Sequence, residues 1–269
     1  MSVEKLINDA LRPRCTSLRG QTALITGASS GIGLALAARL AQEGCHLHLI
    51  ARRQDRLSQL SIELKNLFPE LNIRTFPLDV TREETADVLE SAGAFEADIL
   101  INNAGLAKGL AKIIESDASD WSEMLSTNVN AAFTISARAA RAMSARKSGD
   151  IVVLSSVAAH HSYENGAVYC ASKHAVRAFH EALRLETLES GIRVIMISPG
   201  MVETEFSLVR FSGDNQRANA VYQGVESLDA GDVAESILFA LRQPRHINLD
   251  DIIIKPRQQG NPWRVFRNS

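Results

Sequence analysis

The sequence predicts an α/β fold: a single doubly wound parallel sheet of about seven strands with helices on both faces. Three observations carry this. Short apolar runs alternate with helix-periodic segments from about residue 22 onward. Such alternation belongs to a parallel sheet, because each return to the same edge needs a crossover helix. No internal repeat and no Pro/Ser-rich linker interrupts the 269 residues, so one sheet must take all the strands. A glycine-rich turn after the first strand makes the sheet Rossmann-type.

Residues 1–19 read as an N-terminal arm, and 20–269 as the sheet domain. Strands are expected at 22–26, 46–51, 73–78, 99–102, 151–155, 193–197 and 252–254, each a short apolar run. Between them, Leu57, Leu60, Leu64 and Leu67 recur at three- and four-residue spacing and share one helical face. The stretch 121–146 is rich in Ala and lacks Pro and Gly, which predicts one long helix. Residues 205–228 break the alternation and read as an insertion over the active face.

Composition excludes several classes. With 29 basic and 31 acidic residues the net charge is -2, so no nucleic-acid partner is expected. Cys15, Cys45 and Cys170 are too few and too scattered for a disulfide framework or a zinc site, and no metal is expected. A reducing compartment suits them. The first twenty residues include Glu4 and Asp9 without a long apolar run, unlike a secretory signal. No stretch approaches the roughly 18 apolar residues of a spanning helix, so no membrane partner is expected and the location reads as cytoplasmic.

Thr26-Gly27-Ala28-Ser29-Ser30-Gly31-Ile32-Gly33 follows the first strand and opens a helical run. Strand, glycine turn and helix are the context in which such a loop binds a pyrophosphate. Gly27 permits the turn, Gly31 lets backbone approach the anion, and Gly33 lets helix pack on strand. The helix N-terminus then offers free N–H groups. Gly-Lys-Ser/Thr is absent, which disfavours a triphosphate loop. A tight turn without ligand is the competing reading.

The second strand ends in Ala51-Arg52-Arg53. A site for NAD would carry an acid near here for the ribose 2′-OH; arginines suit the 2′-phosphate of NADP instead. NADP is therefore the expected cofactor, with Ser29 and Ser30 as added hydroxyl donors. The alternative is that Arg52 and Arg53 are solvated and pair with Asp55.

Tyr169 and Lys173 stand four residues apart, one turn of a shared helix face. A nearby ammonium favours the phenolate, making Tyr169 a general base for alcohol oxidation and a general acid for carbonyl reduction. Ser156, at the carboxyl end of the fifth strand, is placed to hold the substrate oxygen; Ser155 is the runner-up. Asn128 and Asn130 fall within one helix turn, which asks for local back-bonding or a function.

In order and spacing, Thr26 to Gly33, Asp79-Val80, Asn102 to Gly105, Asn128, Ser156, Tyr169 with Lys173, and Pro199-Gly200 resemble the short-chain dehydrogenase/reductase family. The likeness covers roughly residues 20–255. It implies a seven-stranded sheet and the catalytic tetrad Asn128, Ser156, Tyr169 and Lys173. It implies that Asn128 holds a water linking Lys173 to solvent, and that Lys173 also binds the nicotinamide ribose beside Tyr169. Asp79 would meet the adenine amino group, with Val80 beside it. Asn103, Ala104 and Gly105 would line the adenine ribose side. Gly27, Ser29, Ser30, Gly31, Ile32 and Gly33 would cradle the cofactor. Pro199, Gly200, Val202 and Thr204 belong to the loop whose Thr204 would meet the carboxamide.

Residues 52–57, 205–211 and 248–256 are also similar to the NADP-dependent 3-hydroxy acid dehydrogenase subgroup, which oxidises serine or allo-threonine. The resemblance implies a small 3-hydroxy acid or related aldehyde as substrate. Other expectations stay open. A reductase of 3-oxoacyl thioesters, steroids or sugars would show an apolar cleft, and a non-enzymatic NADP sensor would lack the tetrad. Arg210 is either a carboxylate holder or a surface residue. His160-His161 either shapes substrate preference or is a solvated turn. A homotetramer or homodimer is expected, packed through the Ala-rich helix and the Tyr169 helix.

Overall fold

Seven short apolar runs become seven parallel strands in the order β3-β2-β1-β4-β5-β6-β7. The computed structural model describes residues 2–11 and 15–268. The expected arm is therefore seen in part, as helix α1 (Val3–Leu11), while residues 1 and 12–14 lie outside the described residues. The strands are β1 (Thr22–Thr26), β2 (His46–Ile50), β3 (Ile73–Phe76), β4 (Ile99–Asn102), β5 (Gly149–Leu154), β6 (Ile192–Pro199) and β7 (Asp251–Ile254). The third strand stops two residues before its expected end, because Pro77 has no N–H to continue the ladder.

Side-chain alternation divides the core into two layers. From β1, Ala23 and Ile25 point to one side and Leu24 to the other. The first layer is closed by α2 (Gly31–Gln42), α3 (Gln54–Leu67) and α10 (Ala230–Leu241). Leu57, Leu60 and Leu64 of the expected helical face are buried there, while Leu67 is exposed. The second layer is closed by α4 (Thr85–Ser91), α6 (Ala132–Ala145) and α7 (Ala167–Glu186). Each fully buried Leu or Ile contributes on the order of 1.5–3 kcal/mol.

The long helix expected over 121–146 is three pieces in series. These are α5 (Ala118–Leu125), a π-helical turn (Ser126–Ala131) and α6. Asp117 caps the start by accepting from Ser119 N–H. The insertion over the active face holds two short helices, α8 (Glu205–Arg210) and α9 (Asn215–Ala220), and its ends meet where Val202 bridges Leu228.

Strand order reverses between β1 and β4. Their connections leave in opposite directions there and open a crevice at the carboxyl ends. The glycine turn after β1 and Asn103 to Gly105 after β4 both sit at this crevice.

Candidate active site

A cleft of about 1070 Å³ runs along the carboxyl edge of the sheet. It is lined by Gly27, Ser29, Ser30, Gly31, Ile32, Arg52, Arg53, Asp79, Val80, Asn103, Ala104, Gly105, Ser156, Tyr169, Lys173, Pro199, Gly200, Val202 and Thr204. Every expected site residue except Gly33 and Asn128 is thus at its surface. Those two lie just behind it.

The glycine turn fits a dinucleotide. Gly27 has φ +68° and Gly31 φ +52°, conformations a side chain rarely adopts. A Cβ on Gly33 would fall 2.4 Å from the Gly27 carbonyl oxygen and 2.6 Å from Asn103 Nδ2, so no other residue fits. Asn103 stitches the turn to β4 by donating from Nδ2 to the Thr26 carbonyl at 2.8 Å. Thr26 Oγ1 accepts from the N–H groups of both Asn103 and Ala104 at 2.9 Å. Helix α2 begins at Gly31 with no side-chain cap on its N-terminus. Its positive end faces the cleft, as a pyrophosphate requires.

Arg53 pairs with the turn, not with Asp55. Its Nη2 donates to Ser30 Oγ at 2.7 Å and to Ser29 Oγ at 3.1 Å, and its Nη1 to Glu205 Oε2 at 2.9 Å. Arg56 donates to the other oxygen of Glu205 at 2.6 Å. Hydrogen bonds from Arg56 and Arg53 hold the Glu205 carboxyl below its ordinary range. Arg52 is exposed at the same rim. At Asp79, burial pushes the carboxyl up. The bonds from Thr81 and the charges of Arg52 and Arg82 outweigh it and bring the net shift down.

Tyr169 and Lys173 stand one turn apart on α7, both buried. The lysine Nζ lies 5.8 Å from the phenol ring centroid and donates to the Leu154 carbonyl at 3.1 Å. Burial pushes the Tyr169 phenol up, Tyr163 adds to this, and Ser156 and Arg210 oppose it. Burial alone brings the Lys173 ammonium down to about 8. The expected lowering of the phenol by the lysine is not seen: desolvation is the largest influence on Tyr169, and Lys173 is not among the groups that act on it. The cause is direct: the ammonium faces a carbonyl, and both groups sit out of water.

Ser156 ends the strand region and accepts from Ala158 N–H at 3.1 Å, and its hydroxyl draws the Tyr169 phenol down against the burial. Ser155, the runner-up, is buried with its Oγ unpartnered. Asn128 sits in the π turn, almost fully buried. Its Oδ1 accepts from Leu106 N–H at 2.9 Å, and its Nδ2 donates to the Leu106 carbonyl at 2.8 Å and to Ser172 Oγ at 3.1 Å. It ties the strand β4 loop to the residue preceding Lys173. Asn130 is exposed, so only one of the two asparagines has an inward task. A Cβ on Gly105 would meet both Asn128 Oδ1 at 3.3 Å and Lys173 Nζ at 3.6 Å.

Arg210 is in the cleft. Its guanidinium lies 5.6 Å from the Tyr169 ring centroid, and donates to the Gly109 carbonyl at 3.1 Å and to Tyr163 Oη at 3.0 Å. Phe206 packs edge-on against Tyr169, centroids 5.8 Å apart. His160 is turned away from the cleft. Its Nε2 lies 3.2 Å from both Ser198 Oγ and Asp251 Oδ2, and its Nδ1 3.2 Å from Arg177 Nη1. His161 stands edge-on to Trp263.

Three groups of lining residues were not singled out in the sequence. Tyr163 enters because Gly166 makes room: a Cβ there would fall 2.1 Å from the Tyr163 ring. Glu205 stands in the sequence only as the first residue of the inserted segment and of the 205–211 likeness, with nothing to mark its pairing with Arg53. The C-terminal stretch brings Gln259, Trp263 and Arg267 to the cleft, with Gln259 Oε1 accepting from Met201 N–H at 2.9 Å. Its Gly, Asn and Pro residues read only as turns.

Comparison with known proteins gives the family and the fold. The family described as short chain dehydrogenase matches residues 21–214. The NADP-dependent 3-hydroxy acid dehydrogenase of Schizosaccharomyces pombe is 40% identical, over 93% of this chain and 98% of its own. A serine 3-dehydrogenase of Rhizobium radiobacter is 37% identical, over 92% of this chain and 99% of its own. Among solved structures, the closed form of a serine dehydrogenase complexed with NADP+ superposes with a TM-score of 0.85 at 32% identity. That likeness covers 92% of this chain and 100% of that one.

Proposed function

The chain belongs to the short chain dehydrogenase family, and on that premise we propose that it is an NADP-dependent oxidoreductase acting on a small 3-hydroxy acid or the related aldehyde. The names of its relatives support both the cofactor and the substrate class. Arg53 on the Ser29 and Ser30 hydroxyls, with Arg52 beside it, supplies donors for a 2′-phosphate. Ala51 puts no acid in its way.

Arg210 carries the substrate reading. It places a fixed guanidinium beside the Tyr169 phenol inside the cleft. A 3-hydroxy acid holds its carboxylate and its hydroxyl only a few bonds apart. One end can be gripped by Arg210 while the other meets Tyr169 and Ser156. A substrate that is only apolar would leave that charge without a partner.

When bound, NADP accepts or supplies the hydride. The chain's own residues manage position and protons. Tyr169 takes the hydroxyl proton in oxidation and returns it in reduction. Ser156 holds the same oxygen. Lys173 binds the nicotinamide ribose, and its ammonium favours the phenolate as charge develops in a site shielded from water. Asn128 anchors Leu106 and Ser172 and would hold a water between Lys173 and solvent. Asp79 and Val80 would receive the adenine, Asn103 to Gly105 its ribose side, and Pro199 to Thr204 the nicotinamide.

Replacing Arg210 tests the substrate class. Arg210→Met should lower kcat/KM for 3-hydroxy acids by about 10- to 150-fold, the worth of a hydrogen-bonded charge. Alcohols without a carboxylate should change little. Initial rates at 340 nm with both kinds of substrate decide it; an equal loss for both would remove the carboxylate assignment.

No helix among the described residues is long and apolar enough to cross a membrane. We place the enzyme in the cytoplasm as a homotetramer packed through α6 and α7, where the small side chains of Ala137, Ala171 and Ala178 are exposed. A monomeric mass by light scattering contradicts that assembly.

A further inference from the structure

The chemistry above leaves Glu205 without a task, although it sits on the guanidinium assigned to the cofactor's 2′-phosphate. Arg53 is engaged on two sides. Its Nε and Nη2 reach Ser29 Oγ at 3.2 and 3.1 Å, Nη2 reaches Ser30 Oγ at 2.7 Å, and Nη1 reaches Glu205 Oε2 at 2.9 Å. Arg56 takes the second carboxylate oxygen at 2.6 Å. One carboxylate thus bridges two guanidinium groups, as a phosphate would. A 2′-phosphate and this carboxylate cannot both hold the same N–H groups without bringing like charges together.

The other end of the same short helix reaches the substrate side. Thr204 caps α8 by accepting from Phe206 N–H at 3.3 Å, and Glu205 is its first residue. Phe206 follows, against Tyr169. Arg210 closes the helix over the Tyr169 ring. Six residues therefore connect the phosphate arginines to the substrate cation.

We propose that Glu205 is an internal competitor for the 2′-phosphate, so that a 2′-phosphorylated nucleotide frees the leading end of α8 and one without the 2′-phosphate leaves it pinned. This rests on the reading that Arg53 receives the 2′-phosphate. Glu205 then sets cofactor discrimination by raising the cost of binding the phosphate. It also makes the position of the substrate helix depend on which nucleotide is present. A ligand shifts such an equilibrium only by its differential affinity, and here the difference between the two nucleotides is the phosphate itself.

Calorimetric titration of the full chain with NADPH, NADH, adenosine 2′,5′-bisphosphate and 5′-AMP tests this, using wild type, Glu205→Gln and Arg53→Met. Glu205→Gln should bind NADPH and the bisphosphate about two- to fivefold more tightly, the scale of partly exposed ion pairs, with NADH and 5′-AMP unchanged. Arg53→Met should lose affinity for the two 2′-phosphorylated ligands alone. Hydrogen exchange gives a second readout: the bisphosphate should speed exchange of the amides of residues 205–210 in wild type, and 5′-AMP should not. Unchanged or weaker NADPH binding by Glu205→Gln overturns the competitor, as does equal tightening for NADH or unaltered exchange. If Arg53→Met instead binds NADPH like wild type, the phosphate assignment fails first and the competitor falls with it.

Discussion

The two edges of the sheet bury charge in opposite ways. At the amino edge, Asp150 on β5 and Arg193 on β6 stand opposite each other in register, both nearly inaccessible. Arg193 donates from Nε to Asp150 Oδ1 at 2.7 Å and from Nη2 to Oδ2 at 2.8 Å. Its nitrogens also reach the carbonyls of Leu241 and Gln243, each at 2.8 Å, and Arg245 adds a bond to Asp150 at 2.6 Å. At the carboxyl edge Lys173 is just as buried, yet it has one carbonyl partner and no carboxylate among the described residues. Ser155 Oγ nearby has none. A saturated cluster fixes two strands and has nothing left to offer a ligand. An under-coordinated group is costly to bury, and the free valence is what a ligand can use.

Three substitutions can break or sharpen this contrast. The largest effect should come at the carboxyl edge, on rate alone. Tyr169→Phe is expected to reduce turnover by about 10²- to 10⁴-fold, the usual worth of a positioned acid–base group. NADPH binding and the unfolding midpoint should stay near wild type. Near-normal activity would mean that another group moves the proton.

Asp150→Ala should do the reverse at the amino edge. It leaves Arg193 buried without its carboxylate and should cost about 3–5 kcal/mol in urea unfolding, while the folded fraction keeps its kcat/KM. A loss below about 1 kcal/mol would show that water or Arg245 rearrangement repairs the cluster.

Lys173→Met should be the smallest in energy and the most diagnostic in sign. Burial lowers this lysine from 10.5 to about 8, whereas in the unfolded chain it titrates near its ordinary value. A lowered folded value means that the charged form is disfavoured by folding. The penalty is complete below pH 8, shrinks as pH rises through 8, and is gone above about 10.5. The methionine variant should therefore be inactive but more stable at pH 7, by about 1–3 kcal/mol, with the gain vanishing toward pH 10.5. Stability that falls at pH 7 would make Lys173 a structural residue like Arg193.

What the sequence disclosed and what it hid follow a physical division. The strands were legible because a fully buried strand must be a continuous apolar run, and Ile99–Asn102 came out as expected. The end of β3 was missed because an apolar Leu78 continues the run past a proline that cannot bond. The turn around Gly27 and the Tyr169/Lys173 spacing are local, so helix and turn geometry place them. Glu205 meets Arg53 across 152 residues of chain, and no local pattern encodes such a meeting. The two carboxylate candidates nearest in sequence and in space differ for this reason: Asp55 is two residues away and is not Arg53's partner. Arg210 was visible as a residue but its direction was not, because only the Gly109 and Tyr163 contacts aim it inward.

The π turn at Ser126–Ala131 also sets a phase. In an uninterrupted α-helix, residues eleven apart complete about three turns and face almost the same way. Met124 and Ile135 are such a pair. Yet Met124 packs with Leu106 and Tyr169, and Ile135 packs under the sheet with Leu100 and Ile151. The turn absorbs one extra residue and rotates everything after it by about 100°. A single rod can thereby address two audiences, the reacting cluster before the slip and the sheet after it. Asn128 is the residue at the seam. The length of that segment is thus under a constraint that its composition does not reveal: a one-residue deletion would leave every other side chain intact and point those beyond it the wrong way.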